Sequence, residues 1–208
     1  MLSLTDKLDS TLVVTGVGEL PVNLAYNTVL KWYSIGEDKR MRIVDKIRVG
    51  WQLFFNGVVL DFGSADDYEV ASRAISELLE YINEDPYNVP DDANSSSAPS
   101  PEVFSYSQDA EAIYASFIYD YGIDLIEERD KMRWEKFRAL FNNLSPNSPF
   151  RRIVEIRQSD TSGLKGEELV KLTEAQTYYR LKGQSTSQVD DAIGAMFSML
   201  ATQAKQNQ

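Results

Sequence analysis

Apolar residues along most of this chain recur at three- and four-residue intervals, the period of an amphipathic helix; only a short N-terminal stretch departs from it. There, β-branched residues from Thr11 to Gly16 give way to a turn near Gly18 and Glu19, which predicts a short hairpin. Asn23 is positioned to cap a helix with Tyr26, Val29, Leu30 and Tyr33 on one face. Ile43, Ile47, Trp51, Phe54 and Phe55 form a second helical stripe, slightly weakened by Gly50. Ser64 and Asp67 have the spacing of a reciprocal N-terminal cap for a third, which carries Tyr68, Ala71, Ile75, Leu78, Leu79 and Ile82.

The helical period is lost from Glu84 to Val103 and then resumes. Ser107 can cap a helix with Ala110, Ile113, Tyr114, Phe117, Ile118 and Tyr121 on its face, and Gly122 stands where a left-handed terminating residue belongs. Trp134, Phe137, Leu140, Phe141 and Leu144 mark a further helix that ends at Ser145-Pro146, and Ser148-Pro149 opens another through Phe150, Ile153 and Val154. Helix is also expected over 165–181, stopped by Gly183, and a last amphipathic segment runs from Ser187 through Val189, Ile193, Met196, Phe197 and Leu200. The expected fold is mainly α: helical bundle halves, a short N-terminal β-hairpin and a disordered Pro/Ser/acidic linker. The domain division is residues 1–83, a flexible linker over 84–103, and residues 104–208. Four of the seven prolines lie in that linker with Ser95, Ser96, Ser97 and five acidic residues. A flexible chain of that length reaches about 25 Å, so the halves are free to sit apart or pack together.

Composition narrows the chemistry. The 208 residues include neither cysteine nor histidine, which removes thiolate and imidazole metal sites and every histidine-dependent triad. Gly16-Val17-Gly18 lacks the rest of a dinucleotide fingerprint, and there is no phosphate-cradling Gly-Lys-Ser loop. Asp109, Glu111, Asp120 and Asp124 are expected at the surface or as caps rather than as a metal cage. No enzyme activity, catalytic residue, cofactor or metal is therefore expected. A formal net charge of −11 repels phosphate backbones and anionic lipid, so neither nucleic acid nor membrane is an expected partner. Asp6, Lys7 and Asp9 break up any signal-like apolar run, and a soluble intracellular protein is expected. Arg129, Lys131, Arg133, Lys136 and Arg138, interleaved with acidic residues, are expected on a solvated helix face. With Arg151, Arg152 and Arg157 they leave a helix-turn-helix-like DNA-binding regulator as a minority alternative.

The segments Tyr106-Ser107-Gln108-Asp109-Ala110, Ile113 to Phe117, Tyr121 to Leu125, Trp134 to Leu140 and Ile153 to Arg157 together resemble the gene-product-fifteen family of tailed phages of Gram-positive bacteria. The resemblance is closest from Phe104 to Arg157. Where the family pattern reads His-Trp-Trp-Lys-Phe this chain has Arg133-Trp134-Glu135-Lys136-Phe137, so the first and third positions differ. The resemblance implies a tail-assembly chaperone that binds the tape-measure protein, keeps it soluble and helps recruit tail-tube protein. It also implies location in the host cytoplasm and absence from the mature virion. Further implied partners are other copies of the chain in an oligomer and an upstream frameshift product. A structural tail or connector subunit kept in the virion is the other alternative.

Candidate client-binding residues are Tyr114, Phe117, Tyr121, Trp134, Phe137 and Phe141, with core packing the competing assignment for the same stripe. Tyr114, Tyr121 and Trp134 are favoured, because their polar tips tolerate partial exposure. The stripe after Ser187 has two open assignments, its own domain or a neighbouring molecule.

Overall fold

The computed structural model describes residues 2–84, 103–183 and Gly194. The expected linker and the stripe beginning at Ser187 lie outside these residues, apart from Glu84, Val103 and Gly194. The elements are β1 (Thr11–Val14), β2 (Gly18–Pro21), α1 (Tyr26–Glu37), α2 (Ile43–Phe54), α3 (Ala65–Asn83), α4 (Ala110–Tyr121), α5 (Trp134–Asn142), α6 (Pro149–Gln158) and α7 (Gly166–Tyr178). This is the mainly helical fold with one N-terminal hairpin that the hydrophobic period predicts.

The hairpin is antiparallel with Leu12 opposite Leu20 and Val14 opposite Gly18. It therefore turns through residues 15–17, a little earlier than predicted, because Gly16 takes the left-handed conformation (φ 75°) that reverses the chain. Val14 and Leu20 are buried whereas Val13 points outward. The turn is fastened to α3 at both backbone polar groups of Thr15: its N–H donates to the Glu77 carboxylate, and its carbonyl accepts from Arg73.

Local signals start or stop several helices as expected. Ser64 Oγ accepts the Asp67 N–H at 3.2 Å at the start of α3, Gly122 closes α4 in the left-handed region (φ 65°), and Pro149 occupies the first turn of α6. Two expected caps are corrected. Asn23 turns back on the Ala25 N–H, and a donor at the head of α1 with no partner in its own helix, the Tyr26 N–H, is bound by the Met132 carbonyl. The N-cap of α4 is Asp109 rather than Ser107, and the Asp109 carboxylate serves Ser105 N–H and Arg157 instead of its own helix.

One hydrophobic cluster runs through residues from both sides of the linker, from Val14 to Ile82 and from Ile113 to Val154. Its backbone seam is an isolated antiparallel bridge between Ala25 and Arg133, in which Trp134 N–H also donates to the Leu24 carbonyl. The last turn of α3 has no glycine stop. Its Ile82 carbonyl accepts from the Trp134 indole at 3.1 Å and from Arg138 at 2.6 Å, so the second half terminates a helix of the first.

Gly50 has a packing reason for its place in α2. A Cβ there would lie 2.6 Å from Cζ3 of the fully buried Trp32 and 3.0 Å from Cδ1 of Ile75. Alanine in a helix interior gains about 1 kcal/mol over glycine, but forcing a methyl against a packed indole costs about 1–3 kcal/mol. Gly50→Ala is therefore expected to lower the urea midpoint, despite the better helix propensity. A raised midpoint would mean that α2 and Trp32 do not meet in this way.

Candidate functional site

Within α5, residues 134, 137 and 141 follow the helical repeat and face the same way. The Phe137 ring lies 5.0 Å from Tyr26, 5.1 Å from Phe117, 5.5 Å from Trp134 and 5.8 Å from Phe141, all near parallel. Phe141 continues to Phe150 at 4.9 Å and to Phe104 at 5.3 Å. Of the six candidate residues, Phe117, Trp134, Phe137 and Phe141 are thus buried at the junction of α1, α4, α5 and α6. Tyr114 and Tyr121 are half-buried at the margin of this stack. Tyr114 donates to the Asp124 carboxylate at 3.1 Å, which raises the pKa of its hydroxyl; Tyr121 donates to the Leu140 carbonyl at 2.9 Å near the end of α5, and burial raises its pKa.

The basic cluster is not a solvated helix face. Residues 125–131 form successive turns, and Asp130 adopts a left-handed conformation (φ 60°) held by paired hydrogen bonds with Asn27 of α1. Arg133 forks onto Glu135 at 3.0 and 2.5 Å and also donates to the Asp9 carbonyl. Arg138 caps α3, and Arg151 donates to the Asn142 carbonyl. Arg157 makes a buried two-pronged pair with Asp109 while binding the carbonyls of Val103 and Tyr179. Arg129, Lys131, Lys136 and Arg152 remain exposed.

A cleft of about 390 Å³ opens between the two halves, lined by Tyr33, Ile82, Phe104, Tyr106, Trp134 and Phe141 with Arg138 and Arg151 as its cations. Glu84 and Val103, the described residues that flank 85–102, stand at its rim. Phe104 and Tyr106 lie outside the candidate stripe, although two aromatics so soon after a proline-rich segment are a visible anchor signal.

The opposite side of α4 is a second candidate surface. Ile118, expected on the inner face, is 42% exposed, and its neighbour Tyr119 is 63% exposed. Apolar residues surround α4 on all sides, so burying one face against α5 and α6 leaves another in water. Ile126, in the turn after α4, is 64% exposed.

Arg133 and Glu135, two positions apart, bind each other. Burial opposes the Glu135 charge, but hydrogen bonds from Arg133, its own N–H and Tyr81 outweigh burial and hold the carboxyl below its usual pKa. Burial, followed by the bond to Glu135, pushes the Tyr81 hydroxyl up to about 12, so it remains a donor at neutral pH. A carboxyl whose folded-state pKa is lowered contributes stability above its unfolded value and loses it as pH falls through the folded value. Wild type should therefore exceed Glu135→Gln in stability at pH 7, and the gap should narrow as pH falls below about 4.5, where the protonated acid resembles the amide. Urea midpoints of both proteins across pH 3–7 check this; a constant gap would contradict it.

Among the described residues no helix is long and apolar enough to cross a membrane, and no group of three or more acidic side chains is placed to hold a metal ion. Comparison with curated proteins and with solved structures yields no match. A family model does match: residues 4–181, spanning both halves and every described helix, fit the model for Bacteriophage Gp15 protein. The chain belongs to the phage Gp15 family.

Proposed function

We propose that this Gp15-family protein is a tail-assembly chaperone that binds the tape-measure protein, keeps it soluble and helps bring tail-tube subunits to it. The observation that carries this reading is the solvent-facing apolar side of α4, mounted on a helix whose other side is fixed in the core. A long helical client exposes apolar faces that aggregate, and a rigid apolar helix face is a suitable cover for them. The task needs no covalent chemistry, so the protein works without catalytic residue, metal or cofactor. Contacts of this kind are individually weak and gain strength by repetition along the client, which favours an oligomer or array as the working form. The protein acts in the host cytoplasm and leaves the assembly before the virion is complete.

The helix-turn-helix alternative loses support because Arg133, Arg138, Arg151 and Arg157 are engaged with protein carbonyls and carboxylates. The connector alternative differs from the chaperone in one observable: a connector is retained in purified virions.

Co-expression with the tape-measure protein, followed by soluble recovery and pull-down, tests the proposal. The client should be soluble only with the chaperone and should co-purify with it. An insoluble client, or abundant chaperone in virions by mass analysis, would contradict the reading. Trp134→Ala should act on the fold, costing about 3–5 kcal/mol, since its ring is 2% exposed and its indole caps α3. Tyr114→Ala and Tyr121→Ala should stay folded at 25 °C and lower client recovery. Normal recovery with both would move the contact away from the tyrosine margin.

A further inference from the structure

The outward side of α4 is more specific than an apolar patch. Ala115, Ile118, Tyr119 and Gly122 follow a helical repeat of three and four residues, so they form one stripe, and all are exposed. The twelve residues of α4 make a surface about 18 Å long, or three helical turns. The turn that carries Ile126 is fastened to the same helix by the Tyr114–Asp124 hydrogen bond and by the Gly122 and Ile123 N–H groups, which close on Ile118 and Phe117.

Along the chain the charge beside this stripe has one sign, although Gln108 at the head of α4 holds the backbone of the exposed Arg180 and Lys182. From Ser107 to Glu128 the chain has six acidic residues and no lysine or arginine; Arg129 is the first cation after it. Asp109 is neutralised by Arg157, and Asp120 is held by the Ser145 N–H and hydroxyl. Asp124 accepts from the Tyr114 hydroxyl and the Ile126 N–H, which leaves Glu111 and Glu127 exposed and, among the described residues, without an ion-pair partner. An apolar stripe edged by unpaired carboxylates favours a partner with the complementary pattern.

We infer that this face of α4 docks an amphipathic helix whose apolar stripe is flanked by lysine and arginine. The inference rests on the chaperone reading for the identity of that helix as a stretch of client; the chemistry of recognition does not depend on it. Two occupants from the chain itself have the wrong charge. Residues 184–208 carry Asp190 and Asp191 against a single Lys205, and a second copy of α4 would set carboxylates against carboxylates. A short, partly electrostatic contact also releases readily, as a client that must pass to tube subunits requires.

The test uses the full chain and two labelled 18-residue synthetic helices with the same leucine stripe, one flanked by lysine and the other by glutamate, measured by fluorescence anisotropy. The lysine helix should bind at least about tenfold more tightly than the glutamate helix at low salt, with the difference shrinking as salt rises. Ile118→Ser with Tyr119→Ser should weaken lysine-helix binding about tenfold or more while helical circular dichroism is unchanged. Glu111→Lys with Glu127→Lys should reverse the preference. Equal binding of the two helices, or undiminished binding by the serine variant, would overturn the inference, the latter by showing general charge attraction only. Competition by a peptide of residues 184–208 would assign the face to the chain's own tail, and self-association abolished by the serine variant would assign it to a second copy; either result would overturn it. Pull-down of co-expressed tape-measure protein separates the two claims. Loss of client recovery in the serine variant supports both, normal recovery sinks the surface alone, and failure of wild type to recover client sinks the chaperone reading while the helix measurements stand.

Discussion

Phe137 is fully buried where the two halves of the chain meet, and four aromatic rings are stacked around it. Each such contact adds about 0.5–1.5 kcal/mol to the area it buries. Their collective effect is geometric as well: stacking on Tyr26 and Phe117 together sets the rotation of α5. That rotation brings the Trp134 indole and the Arg138 guanidinium to the Ile82 carbonyl and lays the Arg133 backbone beside Ala25. The end of α3 and the start of α1 are consequently satisfied by residues more than fifty positions away.

Charge is arranged around this junction in the same way. The Arg157–Asp109 pair and the buried Glu135 carboxylate with Arg133 each place ions in a medium that penalises them, and each is stable because further hydrogen bonds complete the geometry. Removing a single partner leaves a buried charge without compensation, a loss of about 3–5 kcal/mol. Such pairs fix position more than they add net stability. Arg157 ties the start of α4, the chain at Val103 and the end of α7 to one side chain. The core rings and these arginines are engaged inside the molecule, whereas the outer side of α4 faces solvent.

What the sequence made legible follows the range of each interaction. The hairpin, the Ser64 cap, the Gly122 stop and the Pro149 start depend on neighbours within a few residues, so composition and spacing reveal them. Asn23 and Ser107 also have the right local chemistry, yet a carbonyl from Met132 and an arginine from α6 change how the heads of α1 and α4 are satisfied. The alternating charges of residues 127–138 suit an exposed helix, but besides the local Arg133–Glu135 pair they bind Asp9, Asn27 and Ile82, none of them adjacent in sequence. For the candidate surface, periodicity identified α4 as amphipathic and put Ile118 inside. A helix apolar on all sides does not specify which side meets the core; the neighbours α5 and α6 decide that.

The central claim is that the buried rings of Phe117, Trp134, Phe137 and Phe141 join the halves and are thereby unavailable to a partner. Trp32 and Trp51 report on the first half and Trp134 on the junction, while backbone ellipticity reports on helices of both. Urea unfolding of the full chain followed simultaneously by tryptophan fluorescence and by circular dichroism tests the claim most directly, because elements that share one core unfold together. Coincident single transitions, shifted equally to lower urea by Phe137→Ala, are predicted. Two separated transitions, with Phe137→Ala moving one and leaving the other in place, would contradict it.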